Sequence, residues 1–207
     1  MESAFCDPEL KLIETFGWDG HSFPRLDRHM ARMSASASAL NFPFDDNGFR
    51  AILPAPASPD PLRIRLTLDR AGLFALTSAS LTEIPSPWRI AIAPDRLRAD
   101  DPRLRHKTTD RALYDHARAS LPTGIDEVLF LNTRGEVAEG TITTLFFDLG
   151  KGLSTPPLTC GCLPGCLRAE LLETGQAQEA ILDAADLPKA RLWVGNSLRG
   201  LIPAVLA

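Results

Sequence analysis

Lysine is scarce in this chain: of 22 basic residues only Lys11, Lys107, Lys151 and Lys189 are lysines. Each is therefore worth reading for amine chemistry. Lys107 lies in RLRHKTTDRALYDHARA, between arginines and at the start of an expected helix. Nearby cations and partial desolvation lower an amine's pKa, and a neutral amine is what Schiff-base chemistry needs. Arginine cannot take that part. A solvated lysine at a helix start would present the same local sequence. A second candidate is Glu139, within DEVLFLNTRGEVAEGTITTLFF, where two apolar strands flank a turn at Thr133, Arg134 and Gly135. A carboxylate between hydrophobic segments is costly to bury alone. It calls for a cationic partner, such as a pyridinium nitrogen or an internal arginine, or for a solvent-facing edge position.

Two further segments offer anion-binding geometry. Leu163-Pro164-Gly165-Cys166-Leu167-Arg168 reads as a turn entering a helix. The helix-start amides of Gly165, Cys166 and Leu167 suit a phosphate or another oxyanion, and Gly165 lets a ligand approach the backbone closely. Gly195-Asn196-Ser197-Leu198-Arg199-Gly200 joins two apolar stretches. Asn196 and Ser197 could add donors to the same anion, although a plain strand connection would look identical.

Elements of both periods must position these residues. Leu10 to Trp18 reads as a strand entering a turn at Asp19-Gly20; Leu26, Met30, Met33, Ala37 and Leu40 then recur at helical spacing, closing near Asn41 and Pro43. A short helix is expected from Asp46 to Leu53, before the Pro-rich PAPASPDP, a surface loop. LRIRLTL (62–68) and 73–77 form a hairpin pattern, and 88–93 a third strand. Residues 94–106 carry many charges, two prolines and no core periodicity, which marks a domain connection. Beyond it the spacing predicts a helix over 108–120, strands over 127–132 and 141–149, a helix over 166–174, and short apolar segments at 191–195 and 201–205. Without regular strand–helix alternation, the chain reads as two small α+β domains.

Composition narrows the function classes. The chain has 207 residues, enough for one large domain or two small ones. A net charge of −4, with basic residues spread along the chain, leaves no electrostatic footprint for nucleic acid or an anionic membrane. No 18-residue apolar run occurs, and the start lacks a basic region followed by an apolar one, so a cytoplasmic protein is expected. Cys6 stands alone, while Cys160, Cys162 and Cys166 share one loop far in sequence from His21, His29, His106 and His116. That spacing favours reduced cysteines filling a tight loop and no metal site.

Taken in order, these segments resemble the signature series of the class IV aminotransferases, the fold type IV pyridoxal-phosphate enzymes, from LIETFGWDGHSFPRLDRHMARM almost to the C-terminus. The first segment is similar to a strand-turn-helix ending in His-x-x-Arg, here His29 and Arg32, whose arginine binds the cofactor phosphate. HKTTDRALYDHARA resembles the Schiff-base lysine segment, giving Lys107, and EVAEGT the segment whose glutamate faces the pyridine nitrogen, giving Glu139. LPGCLR resembles the phosphate-holding turn of Gly165, Cys166 and Leu167, and NSLRG the closing motif with Asn196 and Ser197. The resemblance implies pyridoxal 5′-phosphate (PLP) in a cleft between a smaller domain over 1–105, truncated at its start relative to longer members, and a larger one over 106–207. A homodimer is implied as well.

HKTTDRALY and NSLRG look most like the aminodeoxychorismate lyase branch, which converts 4-amino-4-deoxychorismate to 4-aminobenzoate and pyruvate. Arg111 and Arg199 are then candidates for the substrate carboxylates. The alternative is an aminotransferase acting on D-amino or branched-chain amino acids. Ala112 stands where branched-chain aminotransferases carry a tyrosine, which argues against that branch, and Thr144 stands where the family commonly has asparagine. Tyr114, the sole tyrosine, follows Lys107 by seven residues and is expected to pack in the core.

Overall fold

The computed structural model describes residue 5 and residues 7–53, 59–82 and 85–207. Most of the Pro-rich loop, and Cys6, lie outside them. The chain forms two compact units, the first from residues 1–83 and 106–110, the second from residues 84–105 and 111–207. They divide the chain differently from the single boundary expected at residue 105. Among the described residues no helix is long and apolar enough to cross a membrane.

The first unit is built on a three-stranded antiparallel sheet, β1 (Leu12–Trp18), β2 (Leu62–Leu68) and β3 (Phe74–Ser80), in that order. Alternation in LRIRLTL buries Ile64, Leu66 and Leu68, which meet Leu12 and Phe16 of β1 and Phe49 of the short helix α2 (Asp46–Ala51) in one core. Helix α1 (Leu26–Leu40) adds Met33 and Ala37 to that core. It ends at Asn41, whose backbone turns left-handed (φ 57°), a conformation that asparagine tolerates.

The edge of β1 away from β2 is covered by the Lys107 segment. The Ile13 amide donates to the Lys107 carbonyl at 2.8 Å, and the Thr109 amide donates to the Lys11 carbonyl at 2.9 Å. Lys107 is therefore extended backbone, not the start of a helix. Helix α3 begins only at Ala112 and runs to Ala119. The helical periodicity of 108–120 misses this because pairing with β1 has already claimed the backbone at 107 and 109.

The second unit holds an eight-stranded mixed sheet in the order β6-β5-β4-β11-β10-β7-β8-β9. Its strands are β4 (Trp88–Leu97), β5 (Glu127–Asn132), β6 (Val137–Gly140), β7 (Thr144–Asp148), β8 (Ser154–Thr155), β9 (Gln178–Glu179), β10 (Arg191–Asn196) and β11 (Gly200–Leu206). All six residues of β5 are buried, in keeping with the unbroken apolar run VLFL and with core on both faces. One face packs Ile90, Leu129, Leu145 and Val194; the other packs Val128 and Phe130 with Leu113, Tyr114 and Ala117 of α3. Helix α4 (Cys166–Glu173) buries Leu167 and Leu171 against Phe146.

Two sequence expectations change here. The stretch 94–106 is not a simple connection, because β4 continues through a bulge between Ile92 and Arg96 to Leu97, and residues 102–105 form a turn of 3-10 helix. β7 starts at Thr144 rather than at 141, since residues 141–143 wrap around a buried carboxylate described below. Cys160, Cys162 and Cys166 are buried, and among the described residues none of them is in a disulfide.

Candidate active site

In the first unit the chemistry gathers around Glu14, a residue that sequence reasoning passed over. It shares the inward face of β1 with Leu12 and Phe16, and it is buried. Arg32, one turn after His29 on α1, donates to it twice, Nε to Oε1 at 2.8 Å and Nη2 to Oε2 at 2.5 Å. His29 Nδ1 meets Oε2 at 2.5 Å. Burial pushes the Glu14 carboxyl up, but the Arg32 charge and the hydrogen bonds from His29 and Arg32 outweigh it and hold the group at about 2. An ionised carboxylate only accepts, so Nδ1 carries the proton. Burial lowers the pKa of His29 against the opposing pull of Glu14, and the charges of Arg32 and Lys107 lower it further. A neutral imidazole donating to Glu14 follows. A charged residue on the inward face of an otherwise apolar strand was the signal available in the sequence.

Lys107 is half-buried, with its main chain fixed to β1 and its charge close enough to act on His29. Its neighbour His106 bonds the Ser36 hydroxyl of α1 through Nδ1 at 3.0 Å. Lys107 thus sits on a segment held on both sides.

In the second unit Glu139 lies on β6 opposite Phe130 of β5 and is buried. Tyr114 Oη donates to its Oε1 at 2.6 Å, and the Leu163 amide donates to its Oε2 at 2.9 Å. The sole tyrosine does pack in the core, edge-on to Phe130 at 5.3 Å, but its hydroxyl serves Glu139, which sequence spacing did not reveal. Arg111 lies over the Tyr114 ring, 5.1 Å from its centre, and donates from Nη2 to the Thr141 carbonyl at 2.7 Å. Cys162 is pushed up to about 12 by burial and by Glu139, so it is a packing thiol and no nucleophile.

The turn after Glu139 is organised by Glu127, which is fully buried on β5. Its Oε1 accepts from the Val128 and Thr141 amides and the Thr141 hydroxyl; its Oε2 accepts from the Ile142 amide and the Thr143 hydroxyl. A side chain at Gly140 would lie 2.4 Å from the Thr143 hydroxyl, so this tight turn requires glycine. Sequence reasoning missed Glu127 as well, although an acid opening VLFLN was in view.

Gly165 is the N-cap of α4 and, having no side chain, supplies no side-chain cap of its own. A Cβ there would sit 2.9 Å from the Thr144 hydroxyl. Thr144 pairs with Gly195 across β7 and β10, and a Cβ on Gly195 would meet Leu167 at 2.9 Å. The Gly165, Cys166 and Leu167 turn, Thr144 and the Gly195 to Gly200 turn are therefore neighbours. Asn196 builds its own turn: Oδ1 accepts from the Leu198 and Arg199 amides, both at 3.1 Å, and Nδ2 donates to the Ile142 carbonyl at 3.2 Å. Its side chain shapes the loop more than it presents a ligand. Ser197 and Arg199 are partly buried in that turn.

The sequence pattern of the amino-transferase class IV family matches residues 11–206. The chain belongs to this family. Its members are pyridoxal-phosphate-dependent enzymes, and the α+β architecture is that of fold type IV. A crystal structure of a provisionally named amino-acid aminotransferase from Mesorhizobium loti is 46% identical, with a TM-score of 0.91 over 96% of this chain and 100% of that one. A provisionally named aminodeoxychorismate lyase of Schizosaccharomyces pombe is 28% identical over 96% of this chain and 90% of its own length. The fold is shared also with a provisionally named 4-amino-4-deoxychorismate lyase from Legionella pneumophila, at 22% identity and a TM-score of 0.82 over 95% and 82% of the two chains.

The class IV residues present here fit that cofactor by their chemistry. A buried carboxylate that accepts from the Tyr114 hydroxyl and the Leu163 amide would suit a ring cation, a helix start with a glycine N-cap would suit a phosphate, and Lys107, its main chain held to β1, is an amine of the kind the cofactor needs. Two of the five N–H groups of Arg32 are committed to Glu14, which fixes the plane of its guanidinium.

Proposed function

We propose that the protein binds PLP through Lys107 and converts 4-amino-4-deoxychorismate to 4-aminobenzoate and pyruvate. The observation that carries this reading is the likeness to the Schizosaccharomyces pombe lyase along nearly the whole of both chains. The bound cofactor supplies a sink for the electron pair left when a proton departs from the carbon bearing the substrate amine. Glu139 accepts a hydrogen bond from the protonated ring nitrogen. Arg32, with the amides of Gly165, Cys166 and Leu167 and the Asn196 and Ser197 turn, holds the phosphate. Lys107 Nζ takes the proton from the ring carbon that carries the amine. The carbon–oxygen bond on the adjacent carbon then breaks and the ring becomes aromatic. The departing enolpyruvate gains a proton to become pyruvate, so substrate and the two products balance without an added reactant. Arg111 and Arg199 orient the substrate carboxylates. The same reading makes the protein a cytoplasmic homodimer serving folate synthesis.

A second reading, transfer of an amino group between amino and keto acids, is favoured by the identity to the Mesorhizobium loti protein. One experiment separates them. Protein, PLP and 4-amino-4-deoxychorismate are incubated and both products are quantified beside a Lys107→Ala control. Equal amounts of 4-aminobenzoate and pyruvate are expected, with the control slower by about a thousandfold or more. If neither product forms while an amino donor and a keto acid exchange their nitrogen, the transferase reading replaces the lyase.

A further inference from the structure

Among the donors to Glu139 is a side chain for which the family likeness gave no role. Tyr114 Oη lies 2.6 Å from Glu139 Oε1, while the opposite oxygen takes the Leu163 amide. The phenol ring makes a T-shaped contact with Phe130 and lies under the Arg111 guanidinium, and these contacts restrict how far the hydroxyl can turn elsewhere. We propose that Tyr114 is a positioning residue for Glu139, whose hydroxyl aims the carboxylate and keeps the shared proton on the cofactor's ring nitrogen.

This rests on the reading of Glu139 as the partner of that nitrogen. A proton between a pyridine nitrogen and a carboxylate goes to the more basic of the two. A phenol donating to the carboxylate stabilises its negative charge and makes it the weaker base. The proton then stays on nitrogen, where the ring withdraws electrons best. Burial and the charge of Glu139 push the phenol well above its ordinary value, Arg111 opposes them weakly, and so Tyr114 remains a donor at every working pH. Groups near the pair include Arg111 and Asp101, which act on Tyr114, and Cys162, whose thiol feels Glu139 and, in the opposite sense, the charges of Arg168 and Arg105.

Because Tyr114 is the only tyrosine, the test is site-specific by both mutation and labelling. Tyr114→Phe deletes one hydroxyl and retains the ring packing. Wild-type and variant protein are loaded with PLP labelled with nitrogen-15 in the ring, and the resonance is recorded with Glu139→Gln as a reference. Wild type should show a protonated nitrogen. Tyr114→Phe should move toward the unprotonated reference and lose about tenfold in kcat, the size of one hydrogen bond to a charged group. A protein that only needs the ring for packing would show no change in the nitrogen signal. Growth with fluorotyrosine gives a second measurement that needs no mutation at Tyr114: its fluorine-19 resonance in the cofactor-free protein should shift when Glu139 is replaced by Gln. A signal that does not respond overturns the contact. Failure of wild type to take up PLP overturns the proposed function and this inference together, whereas PLP uptake with identical nitrogen resonances in wild type and Tyr114→Phe overturns the inference alone.

Discussion

At the scale of residues, the Glu14, His29 and Arg32 cluster makes stability depend on pH in one direction. His29 titrates in the fold below its ordinary 6.5, so the unfolded chain binds more protons there, and stability falls as the pH drops below about 6.5. Glu14 at about 2 against an ordinary 4.5 acts in a lower window: its contribution is complete above 4.5 and is lost as the pH falls toward 2. That second contribution is worth roughly 3 kcal/mol. Urea midpoints measured from pH 7 to pH 3 should fall through both windows, and Glu14→Gln should flatten the lower one. The same variant should cost about 3–5 kcal/mol at pH 7, because it leaves the largely buried Arg32 without its counter-charge. An unchanged slope below pH 4.5 would mean that another carboxylate governs acid unfolding. Lys107, Glu139 and the Gly165 turn were legible in the sequence as separate chemical possibilities, since each combines a reactive or permissive residue with a recognisable neighbourhood. Glu14 and Tyr114 were not, for a common reason: each acts through a side-chain partner many residues away, 18 for Arg32 and 25 for Glu139. Local spacing carries no record of such pairs.

At the scale of elements, a strand's apolar run was a better guide to its existence than to its ends. The six buried residues of β5 and the alternating β2 stand where their patterns put them. The misplaced boundaries, at 108–111 and 141–143, are those where backbone groups bond outside their own element, to β1 in one case and to Glu127 in the other. Glu127 gives this a measurable form. Replacing it by Ala strips the acceptor from three amides and two hydroxyls in a buried turn, and at about 1–3 kcal/mol for each group that stays unsatisfied even partial rescue by water leaves a large deficit. We expect Glu127→Ala to lower stability by about 3 kcal/mol or more in urea denaturation. A loss under about 1 kcal/mol would show that the turn holds itself.

At the scale of the whole molecule, the single break expected at residue 105 is replaced by a chain that leaves the first unit, re-enters it for residues 106–110 and leaves again. Charge and proline content flagged the neighbourhood, but no local property of HKTTD says that five residues will pair with a strand nearly a hundred positions earlier. A fragment ending at residue 83 should therefore show a less protected Ile13 amide in hydrogen exchange than the intact chain; equal protection would show that β1 needs no partner on that edge. The return also bears on synthesis and inheritance. A ribosome has to finish residue 110 before the first unit can close its sheet edge, by which time β4 of the second unit has already been made. No single cut in the gene yields two self-sufficient modules, because every such cut either strands the lysine segment from β1 or carries part of the second unit with it. Recombination can pass this protein on as one piece, or fuse it whole to another, but cannot exchange either half and keep the lysine where it belongs.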